Sequence, residues 1–177
     1  MPNAITVKGL RKTYGDFVAI DDVDLEVEAG EVFAFLGPNG AGKTTTIDIL
    51  TGAQRRTDGV VSVLGRDPQK DERDWRALVG VVPKGTAKYP ELTVREVVDH
   101  FASFYGNPFP TDQLIDMVGL GAKRKVISTK LSGGQRHRLD VAVGVVGRPR
   151  LLFLDEPNFQ MRGILFSSYS TVYALAA

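Results

Sequence analysis

The chain contains no cysteine, which excludes a disulfide framework and any thiolate metal site. It contains no apolar run of about 18 residues or more, the length a helix needs to cross a bilayer, so no transmembrane helix is expected. Charge of one sign is also missing: 22 basic side chains stand against 21 acidic ones, for a net charge of +1. That balance removes the electrostatic argument for nucleic acid as a partner. Met1 to Lys8 has no basic stretch leading into an apolar core, so no secretory leader is expected. Neither an internal repeat nor a low-complexity linker is visible. What is present is 43% hydrophobic and 24% charged over 177 residues. That suits one globular domain with its own core.

The organising stretch is Gly37-Pro38-Asn39-Gly40-Ala41-Gly42-Lys43-Thr44-Thr45. It fits G-x-x-x-x-G-K-[ST], the loop that cradles phosphates. Gly37, Gly40 and Gly42 allow the backbone to curl so that several N–H groups face one anion. Lys43 supplies a cation for the β- and γ-phosphates, and Thr44 a hydroxyl for Mg²⁺. Val32 to Leu36 precedes the loop as a continuous apolar run, expected to be a strand buried on both faces. A helix is expected from Lys43, its N-terminus favouring an anion, with Gly52 as its stop. The bland alternative is a glycine-rich turn that matches by accident.

Upstream of the loop, Ile5, Val7 and Leu10 begin a strand. Residues 12–16 read as a turn, Val18 and Ile20 as a possible continuation, and Val23 to Glu28 alternates as a strand with one wet face. Downstream, strands are expected at Val60–Leu64 and Val79–Val82, with a short helix from Asp71 to Leu78 that turns Trp75 inward. Thr93 and Glu96 form a capping-box pattern for a helix reaching about Tyr105. Thr111 is expected to cap a second helix that carries Leu114, Ile115 and Val118 and ends at Gly119. Ser132 caps a third. The helical stretch spans about 86 to 130, or about 86–150 with the helix behind Ser132.

Leu151-Leu152-Phe153-Leu154 reads as a second buried strand, delivering Asp155 and Glu156 at its C-terminal end, where open α/β sheets bind ligands. A carboxylate at 155 suits Mg²⁺, a hard cation, and Glu156 suits a general base that polarises water. An acidic pair that merely faces solvent is the alternative. Leu131-Ser132-Gly133-Gly134-Gln135 opens a helix whose bare N-terminus suits a second anion, or is an ordinary cap.

These motifs, in this order and spacing, resemble the nucleotide-binding subunit of an ABC transporter. Gly37–Thr45 corresponds to Walker A, Leu131–Gln135 to the signature motif and Leu151–Glu156 to Walker B with its catalytic Glu. The wording around 84–98 and 130–157 is nearest to bacterial drug-exporter ATPase subunits. The resemblance spans residues 3 to 157. It implies an α/β fold: a P-loop NTPase (RecA-like) core with an antiparallel β part and a helical insertion, incomplete at the C-terminus. It places Tyr14 where an aromatic stacks on adenine, although a half-buried turn tyrosine is the other reading. It implies Mg-ATP hydrolysis with Lys43 and the loop backbone on the phosphates, Thr44 and Asp155 on Mg²⁺, and Glu156 on water. Ser132, Gly133, Gly134 and Gln135 would serve the ATP of a second nucleotide-binding domain in a head-to-tail homo- or heterodimer. The remaining partner would be an integral membrane permease, with the subunit cytoplasmic and peripheral on the inner face of the cell membrane. A non-catalytic ATP-binding fragment and a soluble ABC ATPase outside transport are the alternatives.

Two departures from the family pattern stand out. Lys84 occupies the place of a glutamine that touches Mg²⁺ and water, so it either swings to solvent or approaches the γ-phosphate. After Pro157 neither the expected D-loop nor a later His appears, His137 being the last histidine. Residues 158–177 therefore read as an atypical tail, with a core strand and its helix missing and a sheet edge exposed.

Overall fold

The computed structural model describes residues 3–38, 40–70, 73–82, 89–155 and 172–176. It contains two sheets. In the first, β1 (Asn3–Tyr14) pairs antiparallel with β2 (Phe17–Glu28) on one edge and with β4 (Asp58–Val63) on the other. The strand signal carries further than expected: β1 runs through Tyr14, the turn shrinks to Gly15-Asp16, and β2 is continuous from Phe17. Ile5, Val7 and Leu10 are fully buried.

The second sheet is parallel throughout, in the order β3 (Val32–Phe35), β7 (Val172–Ala176), β6 (Leu151–Asp155), β5 (Val79–Val82). β7 was not foreseen. The tail read as lacking a core strand supplies an apolar segment that fills the slot between β3 and β6. The edges of this sheet are consequently β3 and β5. The edge position of β3 also corrects its expected burial. Phe33 and Phe35 turn half-buried toward the core, while Val32 and Ala34 are exposed.

β6 is the strand buried on both faces. Leu151 and Phe153 join a hydrophobic cluster with Ile5, Leu10, Ile49, Leu50 and Trp75. Leu152 and Leu154 join a second cluster with Val97, Leu114, Ile115 and Leu139. The period-two alternation of a strand thus divides one apolar run between two cores. Helix α1 (Lys43–Leu50) lies on the first side, and α3 (Val94–Ala102), α4 (Thr111–Met117) and α5 (Gly133–Val145) on the second. The short α2 (Arg73–Arg76) buries Trp75, whose indole N–H donates to the Val63 carbonyl at 2.9 Å.

Helix ends follow the capping chemistry, with one correction. Gly52, at φ +75°, follows the Thr51 C-cap of α1, and its Cβ-less backbone passes close to the Pro68 carbonyl. Thr93 and Glu96 form the expected capping box, but α3 stops at Ala102 rather than Tyr105. Thr111 is not a cap: Pro110 holds that position, and the Thr111 hydroxyl donates to Asp99 at 2.5 Å. Proline pre-sets the backbone entering a helix, which frees the threonine to tie α4 to α3. Lys84 and residues 158–171 lie outside the described residues, as do the side chains of β7.

Arg56 joins the segment after α1 to the segment after β4. Its two terminal nitrogens donate to the two Asp67 carboxylate oxygens at 2.8 and 2.9 Å, and its Nε donates to the Gly59 carbonyl. The guanidinium beside Asp67 holds that carboxyl down at about 2, against an ordinary value of 3.8. A depressed carboxyl pKa stabilises the fold above the ordinary value, and that stability is lost as pH falls through the folded value. Chemical denaturation between pH 4 and pH 2 should therefore show a stability loss that Asp67→Asn flattens. Phe153→Ala opens a cavity between α1 and the first sheet. It should cost about 3–5 kcal/mol, read as a lower urea midpoint.

Candidate functional site

The loop between β3 and α1 begins with Gly37 and Pro38 and ends at Gly42, the N-cap of α1. Gly42 has φ +81°, and a Cβ there would sit 2.8 Å from the Ala19 carbonyl and 3.1 Å from an Ile20 side-chain carbon. Two constraints converge on it: a left-handed backbone and close approach to β2. Gly40 is also left-handed, at φ +85°, with open space where a Cβ would lie. The Ala41 N–H donates to the Pro38 carbonyl at 3.2 Å, tightening the turn.

The first helical hydrogen bond of α1 is Thr46 N–H to the Gly42 carbonyl, at 2.8 Å. The N–H groups of Lys43, Thr44 and Thr45 precede it and have no helical acceptors. They form a fan of donors at the positive end of the helix. The Lys43 ammonium folds back over the loop, donating to the carbonyls of Gly37 at 2.5 Å and Pro38 at 3.1 Å. Among the described residues the Lys43 ammonium bonds to loop carbonyls, beside N–H groups that precede the first helical hydrogen bond and an exposed Thr44. These residues fit a polyphosphate. Asn39 lies outside the described residues.

Strand register brings Asp155 to the same edge. Phe35 and Asp155 both pair with Ala176 of β7, one on each side. The phosphate loop begins two residues beyond Phe35, at Gly37, so the loop and Asp155 leave the C-terminal edge of the sheet two strands apart, about 10 Å. Val82 pairs with Leu154 and ends at the same level. The Asp155 backbone is thus placed where a carboxylate could share Mg²⁺ with the Thr44 hydroxyl. Glu156 and Lys84 lie outside the described residues.

Tyr14 stands at the end of β1, 46% exposed. Its hairpin lies against the loop, because Lys12 pairs with Ile20, and Ile20 touches Gly42. Phe17, which the sequence reading did not single out, and Val18, read only as a possible strand residue, are exposed on the same hairpin. Large apolar side chains left exposed beside a glycine-rich loop were the signal for a ligand face there.

Ser132 to Gln135 are not brought to the loop. The Ser132 hydroxyl accepts from the Gln135 N–H at 3.3 Å, and the Gln135 side chain accepts from the Ser132 N–H at 3.0 Å, a complete capping box. The hydroxyl proton of Ser132 remains free to donate, and Gly133 and Gly134 have open space around them. This N-terminus belongs to the helix packed on the opposite face of the parallel sheet from α1. Further along α5, burial pushes the His137 imidazole below its ordinary range. Among the described residues no helix is long and apolar enough to cross a membrane.

Comparison with known proteins agrees with this geometry. Residues 20–158 match the ABC transporter family. The chain is 35% identical over 163 residues to the Nod factor export ATP-binding protein I of Cupriavidus metallidurans, covering 89% of this chain and 54% of that one. It is 38% identical over 163 residues to the sulfate/thiosulfate import ATP-binding protein CysA of Nocardia farcinica, covering 86% and 47%. The chain therefore spans about half the length of these curated relatives. Its fold superposes on the ATP-binding subunit of an ABC transporter with a TM-score of 0.83 at 23% identity, covering 98% of this chain and 79% of that one. The matched residues run from β2 past β6 and so include the phosphate loop, the Ser132 helix and Asp155: the chain belongs to the ABC transporter family, with the P-loop α/β fold of its ATP-binding domain.

Proposed function

We propose that the chain is the ATP-binding part of an ABC transporter, binding and hydrolysing Mg-ATP to drive movement of a substrate across a membrane. The observation that carries this reading is the fan of N–H donors at Lys43–Thr45 that have no helical acceptors, beside a lysine folded back over its own loop. In the bound state the Lys43 ammonium exchanges two carbonyls for the β- and γ-phosphate oxygens. The α1 N-terminus then holds phosphate charge without a counter-ion from solvent. Thr44 and Asp155 are the residues for Mg²⁺, which when bound neutralises charge on the phosphates. Glu156 accepts a proton from the attacking water. Tyr14 stacks on the base.

The separation of Ser132 from the phosphate loop supports a shared site. One chain offers a phosphate loop on one face of its sheet and an anion-binding helix end on the other. Two chains in head-to-tail contact would each complete the other's site, with Ser132, Gly133, Gly134 and Gln135 on the far phosphates. A membrane permease at the inner face of the cell membrane would convert closure and reopening into transport. A non-catalytic, ATP-binding role is the second reading. It is favoured by Lys84 and by Asn158 to Gly163, which do not carry the D-loop pattern expected directly after Pro157.

Titration calorimetry with ATP and Mg²⁺, paired with a phosphate-release assay, separates these readings. Lys43→Ala should weaken ATP binding about 10- to 100-fold, the loss of a charge-assisted hydrogen bond. Glu156→Gln should keep binding and lower phosphate release about 10²- to 10⁴-fold, the usual worth of a general base. A wild-type release rate no higher than that of Glu156→Gln would establish the non-catalytic reading. Lys84→Gln should raise release at unchanged ATP affinity. An unchanged rate would mean that Lys84 does not touch the reaction.

A further inference from the structure

We infer that Lys12 is a positioning residue for base recognition: it clamps the Tyr14 ring in the orientation that receives the nucleobase. The inference rests on the ATP-binding reading above and extends it to a side chain outside the matched motifs. The Lys12 ammonium lies 4.7 Å from the centroid of the Tyr14 ring. It is also anchored, donating to the Arg55 carbonyl at 2.7 Å. A half-buried cation held by a backbone carbonyl and set over a phenol ring covers one face of that ring. The ring then has only its opposite face and its edges to offer a ligand.

The anchor itself is fixed. The Thr57 N–H donates to the Arg11 carbonyl at 2.9 Å, and the Thr57 hydroxyl accepts from the Thr13 N–H at 3.0 Å. Three ties therefore hold residues 11–13 of β1 to residues 55–57, the segment that leads out of the phosphate-loop helix. On the other side of β1, Lys12 pairs with Ile20, which packs on Gly42. The ring that would stack on a base is thereby held in fixed relation to the loop that would hold its phosphates. The partial exposure of Tyr14, at 46%, makes the clamp necessary, because an exposed tyrosine otherwise samples several rotamers. A ring ordered before binding spares the ligand that cost.

The test compares two ligands on the full chain: Mg-ATP, which has a base, and inorganic tripolyphosphate with Mg²⁺, which has none. Lys12→Met keeps the stem and removes the charge and the donors. It should weaken ATP binding about fivefold, the cost of ordering one side chain on binding, and leave tripolyphosphate within about twofold. Lys12→Arg, which also bonds a carbonyl and stacks on a ring, should restore ATP affinity. In a Tyr14→Ala background, Lys12→Met should cost nothing further. Equal weakening of both ligands, or a full effect without Tyr14, would overturn the inference and leave Lys12 a merely structural residue. An unchanged ATP affinity in Lys12→Met would overturn it while leaving the nucleotide reading intact. A wild-type chain that binds neither ligand would overturn both.

Discussion

Every part of this chain depends on β6 being buried on both faces. Leu151 and Phe153 are held by the layer that includes α1 and the antiparallel sheet, and Leu152 and Leu154 by α3, α4 and α5. Four consecutive apolar residues satisfy two cores because a strand turns successive side chains to opposite sides. Burial on both faces also anchors the register of the parallel sheet, since a slip of one residue would exchange the two sets. That register sets Phe35 and Asp155 level across β7 and brings the phosphate loop and the end of β6 to the same edge of the sheet.

The same strand keeps apart the two helix ends proposed to hold phosphate. The α1 N-terminus has N–H donors without helical acceptors and a lysine turned back on its own loop. The α5 N-terminus has a satisfied capping box, two open glycines and a hydroxyl proton to spare. A strand buried against helices on both faces cannot let these ends meet within one chain. The shared site proposed above follows from that layering, which separates within one chain the residues proposed to serve one ligand.

Local chemistry was legible where one residue type admits one conformation. Gly42 and Gly52 read as a loop end and a helix stop, and both adopt positive φ. Thr93 with Glu96 read as a capping box and Ser132 as an N-cap, and both form complete capping boxes, the second through Gln135. Trp75 read as inward-facing and is buried. The errors were of another kind. Val32 to Leu36 read as buried because its apolar run is continuous, yet an edge position exposes alternate residues. Thr111 read as a cap, but Pro110 before it supplies the required backbone and the hydroxyl goes to Asp99. β7 is not legible locally, because five uncharged residues become a core strand only where β3 and β6 leave a slot between them.

By itself the sequence determined the ligand chemistry, since a glycine-rich turn, a lysine and a threonine at fixed spacing specify a phosphate cradle through backbone geometry alone. It determined as well the helix caps, which rest on contacts a few residues apart, and the doubly buried strand, which its unbroken apolar run announces. Tertiary structure alone decided which apolar run lies at a sheet edge, which segment fills the gap beside β6, and that Lys12 reaches both Tyr14 and the Arg55 carbonyl. These outcomes join residues dozens of positions apart, and no local pattern encodes which of several compatible partners a strand or side chain will meet.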